Sequence, residues 1–66
     1  MKLEFIKKYR GYGGDVFEKG QIIEYNPWEF EWRGMTEPER IANGIFVHCH
    51  GMGDFDAFGP SEVRPI

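Results

Sequence analysis

Cysteine is nearly absent from this chain. Cys49 stands alone, so no disulfide can close within the molecule, and its use fits a reducing compartment. A basic excess is also missing. Eight Lys and Arg stand against eleven Asp and Glu, a formal net charge of −3. That balance argues against a general nucleic-acid binder and is too slight for a DNA mimic. No apolar run approaches the roughly 20 residues of a membrane span. The opening MKLEFIKKYR has neither a long apolar core nor a small-residue cleavage site, so no secretory signal is expected and a cytoplasmic location is the default. There is no repeat and no low-complexity tract. At 66 residues a single domain over 1–66 is expected, burying only about 60% of the surface of its unfolded chain.

Aromatics and turn formers are plentiful instead. Six Phe, three Tyr and two Trp make 17% of the chain, more than a thin core readily hides, and surface aromatics are common binding anchors. Nine Gly and four Pro cut the sequence into short segments, which favours short strands and tight turns. Lys2 to Arg10 reads as a strand with Leu3, Phe5 and Tyr9 on one face. Gln21 to Tyr25 reads as a second, entered through a bend at Lys19-Gly20 and ended by Asn26-Pro27. Trp28, Phe30 and Trp32 alternate with Glu29 and Glu31, a period of two that predicts a strand closed by Arg33-Gly34. Thr36 to Gly44 is the one helix candidate: Thr36 and Glu39 have capping-box spacing, Pro38 suits the first turn, and Gly44 suits the C-terminal end.

Ile45 to His50 and Asp54 to Phe58 read as a hairpin. A three-residue turn sets Cys49 against Phe55 and Val47 against Ala57, which keeps one face apolar and is the preferred register. It turns Ile45, Val47 and Cys49 inward. Phe46, His48, His50 and Phe58 then face outward, with His48 opposite Asp56 and His50 near Asp54.

The final segment FDAFGPSEVRPI resembles the end of Src-homology-3-like (SH3-like) barrels, where a distal hairpin leads through a Pro-Ser turn to a last strand with a buried Val. Pro60, Ser61 and Val63 match those elements, and DVFEKGQIIEY is similar to the diverging turn of such barrels. The signalling branch's ALYDY signature is absent. Phe58, Glu62, Val63, Pro65 and Ile66 resemble the C-termini of small bacterial and phage proteins of this type. The resemblance implies an all-β, five-stranded SH3-like barrel with one short helical connector.

No catalytic or cofactor motif stands out. On a strand, Cys49 and its neighbours His48 and His50 point to opposite faces, which argues against a Cys–His nucleophile. The alternative chemistry is a metal held by His48, His50 and Asp56. His–Asp pairing would raise the imidazole pKa values, giving stability at low pH that is lost as pH rises through the raised values. The function expected is a non-enzymatic protein-binding module without a cofactor. It resembles a small phage or bacterial regulatory protein docking on a larger host protein, with Tyr12, Trp28, Trp32, Phe46, His48, His50 and Phe58 as contact residues. The alternative is a nucleic-acid-binding barrel that uses the edge formed by Lys7, Lys8, Arg10 and Tyr12.

Overall fold

In β1, Lys2–Phe5, alternation places Leu3 and Phe5 on one face, and both are fully buried. The strand ends there. Tyr9–Arg10 forms a separate short strand, β2, which pairs with β3, Val16–Phe17. The long first strand expected over Lys2 to Arg10 is therefore two strands. Tyr9 still packs against the core beside Phe5, as its shared face predicts. A turn then reverses the chain. The Gln21 N–H donates to the Glu18 carbonyl at 3.0 Å, and Gly20 has φ 88°, the left-handed value that a type II turn demands at its third position. β4, Ile22–Glu24, returns antiparallel to β1, with Leu3 opposite Ile23.

The computed structural model of the chain describes residues 1–11, 13–51 and 53–66. The helix α1 covers Glu37–Ala42. Glu39 Oε1 accepts from the Thr36 N–H at 3.1 Å and from its Oγ1 at 2.8 Å, and these bonds hold the Glu39 carboxyl below its usual pKa. Pro38 sits in the first turn, and Gly44 follows the helix at φ 75°. β5, Phe46–Gly51, and β6, Asp54–Phe58, make the hairpin, and β7, Val63–Pro65, pairs with β1 on the side away from β4. Glu4 and Arg64 are opposite in that last ladder, and Arg64 Nε donates to Glu4 Oε1 at 2.7 Å.

The architecture is mainly β with one short helix. The sheets are small: β4-β1-β7, β2-β3 and β5-β6, and none closes on itself among the described residues. The chain is compact all the same, with a radius of gyration of 11.1 Å, close to the roughly 11 Å expected of a folded chain this long. One core gathers Leu3, Phe5, Tyr25, Phe46, Phe58 and Val63, with Tyr9, Phe17, Ile23 and Ile41 packed against it. Its contacts are largely aromatic. Phe5 stacks on Phe17 at 4.6 Å, and both Phe5 and Tyr9 meet Phe58 edge-on at 5.0 Å.

The hairpin register is the expected one: Phe46 opposite Phe58, Val47 opposite Ala57, His48 opposite Asp56 and Cys49 opposite Phe55. Its orientation is only partly the expected one: Val47 is turned inward as expected and is 0% exposed, but the opposite face is buried as well. Phe46 and Phe58 are 3% and 0% exposed and stand in the core, with Asp56 buried on β6 between them and the hairpin end. Phe55 is exposed instead, and Cys49 and Ala57 are only half-buried. Two phenyl rings gain about 1.5–3 kcal/mol each on burial, more than Cys49 and Ala57 would. The cost of taking a carboxylate inside with them is offset by a hydrogen bond.

The tryptophan segment is not a strand. Residues 28–31 carry no ladder, and the neighbouring bridges are single pairs, Pro27 with His48 and Trp32 with Met35. Asn26 and Trp28 hydrogen-bond along the free edge of β5: the Cys49 N–H donates to the Asn26 carbonyl at 2.7 Å and the Trp28 N–H to that of Val47 at 2.9 Å. The segment thus covers a strand edge that would otherwise lie open.

Candidate functional site

Three polar side chains from three elements converge toward the turn end of the hairpin. Asp15 ends the loop between β2 and β3. His50 lies near the end of β5, at an irregularity between Cys49 and Gly51, and Asp56 lies on β6. Their ligand atoms all lie within 4.8 Å of one another. Alternation points His48, His50 and Asp56 to the same face, and there Asp56 hydrogen-bonds His50: Nε2 of the imidazole meets Oδ2 of the carboxylate. The irregularity between Cys49 and Gly51 falls at His50, whose ring stays 5.1 Å from that of His48. His50 keeps 24% of its side chain exposed and Asp56 only 3%.

The loop over this pair is tightly folded. The Gly14 N–H donates to the Gly11 carbonyl at 3.2 Å, and the Gly11 N–H donates to the Asp15 carbonyl at 2.6 Å. Gly11 is buried against the Asp56 carboxylate. The phenol of Tyr9 is pushed up in pKa, first by burial and then by the negative charges of Asp56 and Glu62. A cavity of about 670 Å³ opens over the cluster, with Tyr9, Trp32, Arg33 and Phe55 in its wall beside Asp15, His50 and Asp56.

His48 is not part of the cluster. Its Nδ1 accepts the Asn26 N–H at 3.1 Å, and its ring packs on Tyr25 and Phe58. Burial lowers its pKa, His50 lowers it further, and Asp56 raises it by less. Among the described residues the expected His48–Asp56 and His50–Asp54 pairs give way to His50–Asp56, and the raised pKa expected of His48 is corrected to a lowered one. The expected metal set changes with it, as Asp15 takes the place of His48.

Beside the cavity lies an aromatic surface. The Trp28 ring contacts Phe55 at 4.7 Å and Phe30 at 5.2 Å. Phe30 is 66% exposed, the largest exposure of any aromatic among the described residues. Trp32 is half-buried and carries the Arg33 guanidinium 4.8 Å above its ring. Trp32 and Met35 exchange two backbone hydrogen bonds across Arg33-Gly34, which have φ 49° and 75°. Positive φ at both central residues is the mark of a type I′ turn. Arg33 is the one described non-glycine residue in that region.

What holds this surface is Arg40, a residue the sequence reading passed over. Its side chain is 1% exposed on α1. Nη1 donates to the carbonyls of Phe30 at 3.0 Å and Met35 at 3.3 Å, and Nη2 donates to that of Trp28 at 3.0 Å. The planar fork gathers a loop with no ladder of its own. The signal available in advance was weak: an arginine four residues after a helix cap normally faces water.

Of the expected contact residues, Trp28 and Trp32 stand at this surface, half-buried. Phe46 and Phe58 are withdrawn into the core, which corrects their assignment as surface anchors. His48 is turned inward, and His50 lines the cavity. Tyr12 lies outside the described residues. The Cys49 thiol donates to the Gly51 carbonyl at 3.2 Å. Among the described residues, no helix is long and apolar enough to cross a membrane. No family model, no curated protein and no solved structure matches the chain.

Proposed function

We propose that this chain is a small non-enzymatic protein-binding module of SH3-like type, docking on a larger partner through the Trp28, Phe30 and Phe55 surface. The observation that carries the reading is the exposure of Phe30 (66%), on a loop whose carbonyls are held by a buried arginine. A phenyl ring left in water on a pre-ordered backbone is the form of an interface anchor, because little ordering entropy remains to be lost on binding. Exposed Glu29, Glu31 and Asp54 lie beside these aromatics in sequence. The partner that fits is a polypeptide presenting an apolar side chain flanked by Lys or Arg. The barrel assignment draws support from the turn at Lys19-Gly20, from the Gly59–Glu62 turn that carries Pro60 and Ser61, and from the buried Val63 that follows it.

The nucleic-acid reading has less behind it. Lys7 Nζ lies 3.8 Å from a Glu62 carboxylate oxygen and Lys8 Nζ 3.9 Å from one of Glu18. Both lysines of that edge are therefore charge-balanced locally, where a phosphate-tracking stripe needs unopposed cations.

A photo-crosslinking phenylalanine analogue at position 30 tests the docking face in cells. Crosslinks to one defined protein, lost when Trp28 is replaced and absent from the same analogue at exposed Ile22 on β4, are expected. Equal crosslinking from both positions, or products dominated by nucleic acid, would sink the reading.

A further inference from the structure

We propose that Asp15, His50 and Asp56 form a binding site for a divalent first-row transition-metal ion, with zinc as the best-fitting occupant. The site goes beyond the docking reading and does not depend on it. Its three donors come from the β2–β3 loop, the bulged end of β5, and β6, and their ligand atoms already lie within 4.8 Å of one another. Zinc holds nitrogen and oxygen donors at about 2.0–2.2 Å, which sets tetrahedral donor–donor separations of roughly 3.3 Å. The rearrangement needed is small. Asp15 is exposed and can swing inward by side-chain rotation. His50 and Asp56 now touch each other directly and would open to admit the ion between them.

Donor chemistry selects the class of ion. One imidazole with two carboxylates suits zinc and its first-row neighbours, whereas calcium and magnesium prefer all-oxygen shells. The position of Asp56 is the second line of support. It is a carboxylate 3% exposed at the floor of a cavity, and the backbone passes over it at Gly11, where a side chain would strike Oδ2. Three protein ligands leave a fourth position on the cavity side, beside Trp32 and Arg33. His48 and Cys49 stand outside the donor group and have contacts of their own. Nδ1 of His48 is occupied by the Asn26 N–H, and the Cys49 thiol donates to Gly51.

Such an ion ties the glycine loop to the hairpin. In a 66-residue chain that can form no internal disulfide, that is a cross-link of the kind short domains use. Binding to the folded state alone raises stability with ion concentration.

The test is zinc titration of chelator-stripped full-length protein, followed by calorimetry and by amide NMR spectra. One zinc per chain is expected, with shifts confined to residues 11–15, 48–51 and 53–57 and a melting temperature that rises with zinc. Magnesium at the same concentration should produce neither effect. Asp15→Asn and His50→Gln should each weaken binding by at least about tenfold, and Cys49→Ser should leave it unchanged. Asp15 is exposed, so its variant folds and carries the test even where His50→Gln does not. No zinc effect on the folded protein, undiminished binding in Asp15→Asn, or loss of binding in Cys49→Ser overturns the proposal.

Discussion

Gly11 and Asp56 are in close approach: a Cβ placed on Gly11 would lie 2.8 Å from Asp56 Oδ2 and 3.3 Å from the Asp15 carbonyl oxygen. The carboxylate is already hydrogen-bonded to His50 and buried, so it has little freedom to withdraw. Gly11→Ala is therefore expected to destabilise the fold by about 1–3 kcal/mol, the range for overpacking a filled site. Gly13→Ala is the internal control, because a Cβ there meets nothing within 4 Å. It should shift stability by less than about 0.5 kcal/mol. Urea unfolding of both variants checks this, and equal midpoints would mean that the Gly11–Asp56 approach is looser than it stands here.

Arg40 supports a different region. Three carbonyls of the 28–35 loop accept from its guanidinium in a site closed to water. Arg40→Ala removes those donors together, strands the buried acceptors and leaves a void under α1. A loss of about 3 kcal/mol or more is expected. Arg40→Lys should recover little, because an ammonium cannot reach three acceptors with the geometry of the planar fork. Thermal melts of the two variants decide it, and a lysine variant as stable as the parent would contradict the forked role.

Local patterns were readable where one physical term dominates. The Thr36–Glu39 capping box, the Gly20 turn, and the alternation of Leu3 and Phe5 each depend on neighbours in sequence, and each is present. The register of the last hairpin was readable from the apolar pairing of Val47 with Ala57 and Cys49 with Phe55, but not its cause: β5 runs on to Gly51, opposite Asp54, and an irregularity between Cys49 and Gly51 sets the pairing where a three-residue turn was expected. Its orientation was legible at Val47 but not at Phe46 and Phe58, because burial of the second face depends on what packs from elsewhere. Phe5, Tyr9 and Phe17 supply an aromatic surface that Phe58 completes, Tyr25 meets Phe46 edge-on, and only the assembled core reveals that both phenyl rings are buried along with Val47 of the other face. The loop around Trp28 misled for the same reason. Its alternating aromatics mimic a strand, but its backbone is held by a helix side chain rather than by a ladder. The candidate site was half legible: His50 and Asp56 were visible as a pair of types, while Asp15 comes from 35 residues earlier and is brought in by the fold of the glycine loop.

His48 gives the protein an acid sensitivity of defined sign. Its folded pKa lies below the ordinary 6.5, because burial disfavours the imidazolium and Nδ1 is committed as an acceptor. The unfolded chain therefore binds more protons than the folded one below about pH 6.5, and stability falls as pH falls through that window. The contribution is complete above the unfolded pKa and is lost progressively below it. Unfolding midpoints measured from pH 7.5 to 5 should decline for the parent and decline less for His48→Gln. NMR titration should find the His48 imidazole protonating below 6.5, and a value above it would reverse the assigned cause.

Phe30 separates folding from binding in a way that no core aromatic here can. Two thirds of its surface is open, and its ring contact is with Trp28 alone among the described residues. Phe30→Ser should lower unfolding free energy by no more than about 1–2 kcal/mol, since only a third of its surface is buried. Its main-chain carbonyl, which Arg40 uses, survives the substitution unchanged. If the aromatic face is the docking surface, the same variant should weaken partner capture by at least about tenfold, the size of loss that marks an interface anchor. Phe58→Ser, by contrast, removes a fully buried ring and should unfold the protein, so its loss of binding carries no information about the surface. A Phe30→Ser protein that folds normally and captures its partner undiminished would move the interface away from Trp28, Phe30 and Phe55. The exposed ring would then be a tolerated surface residue of the loop.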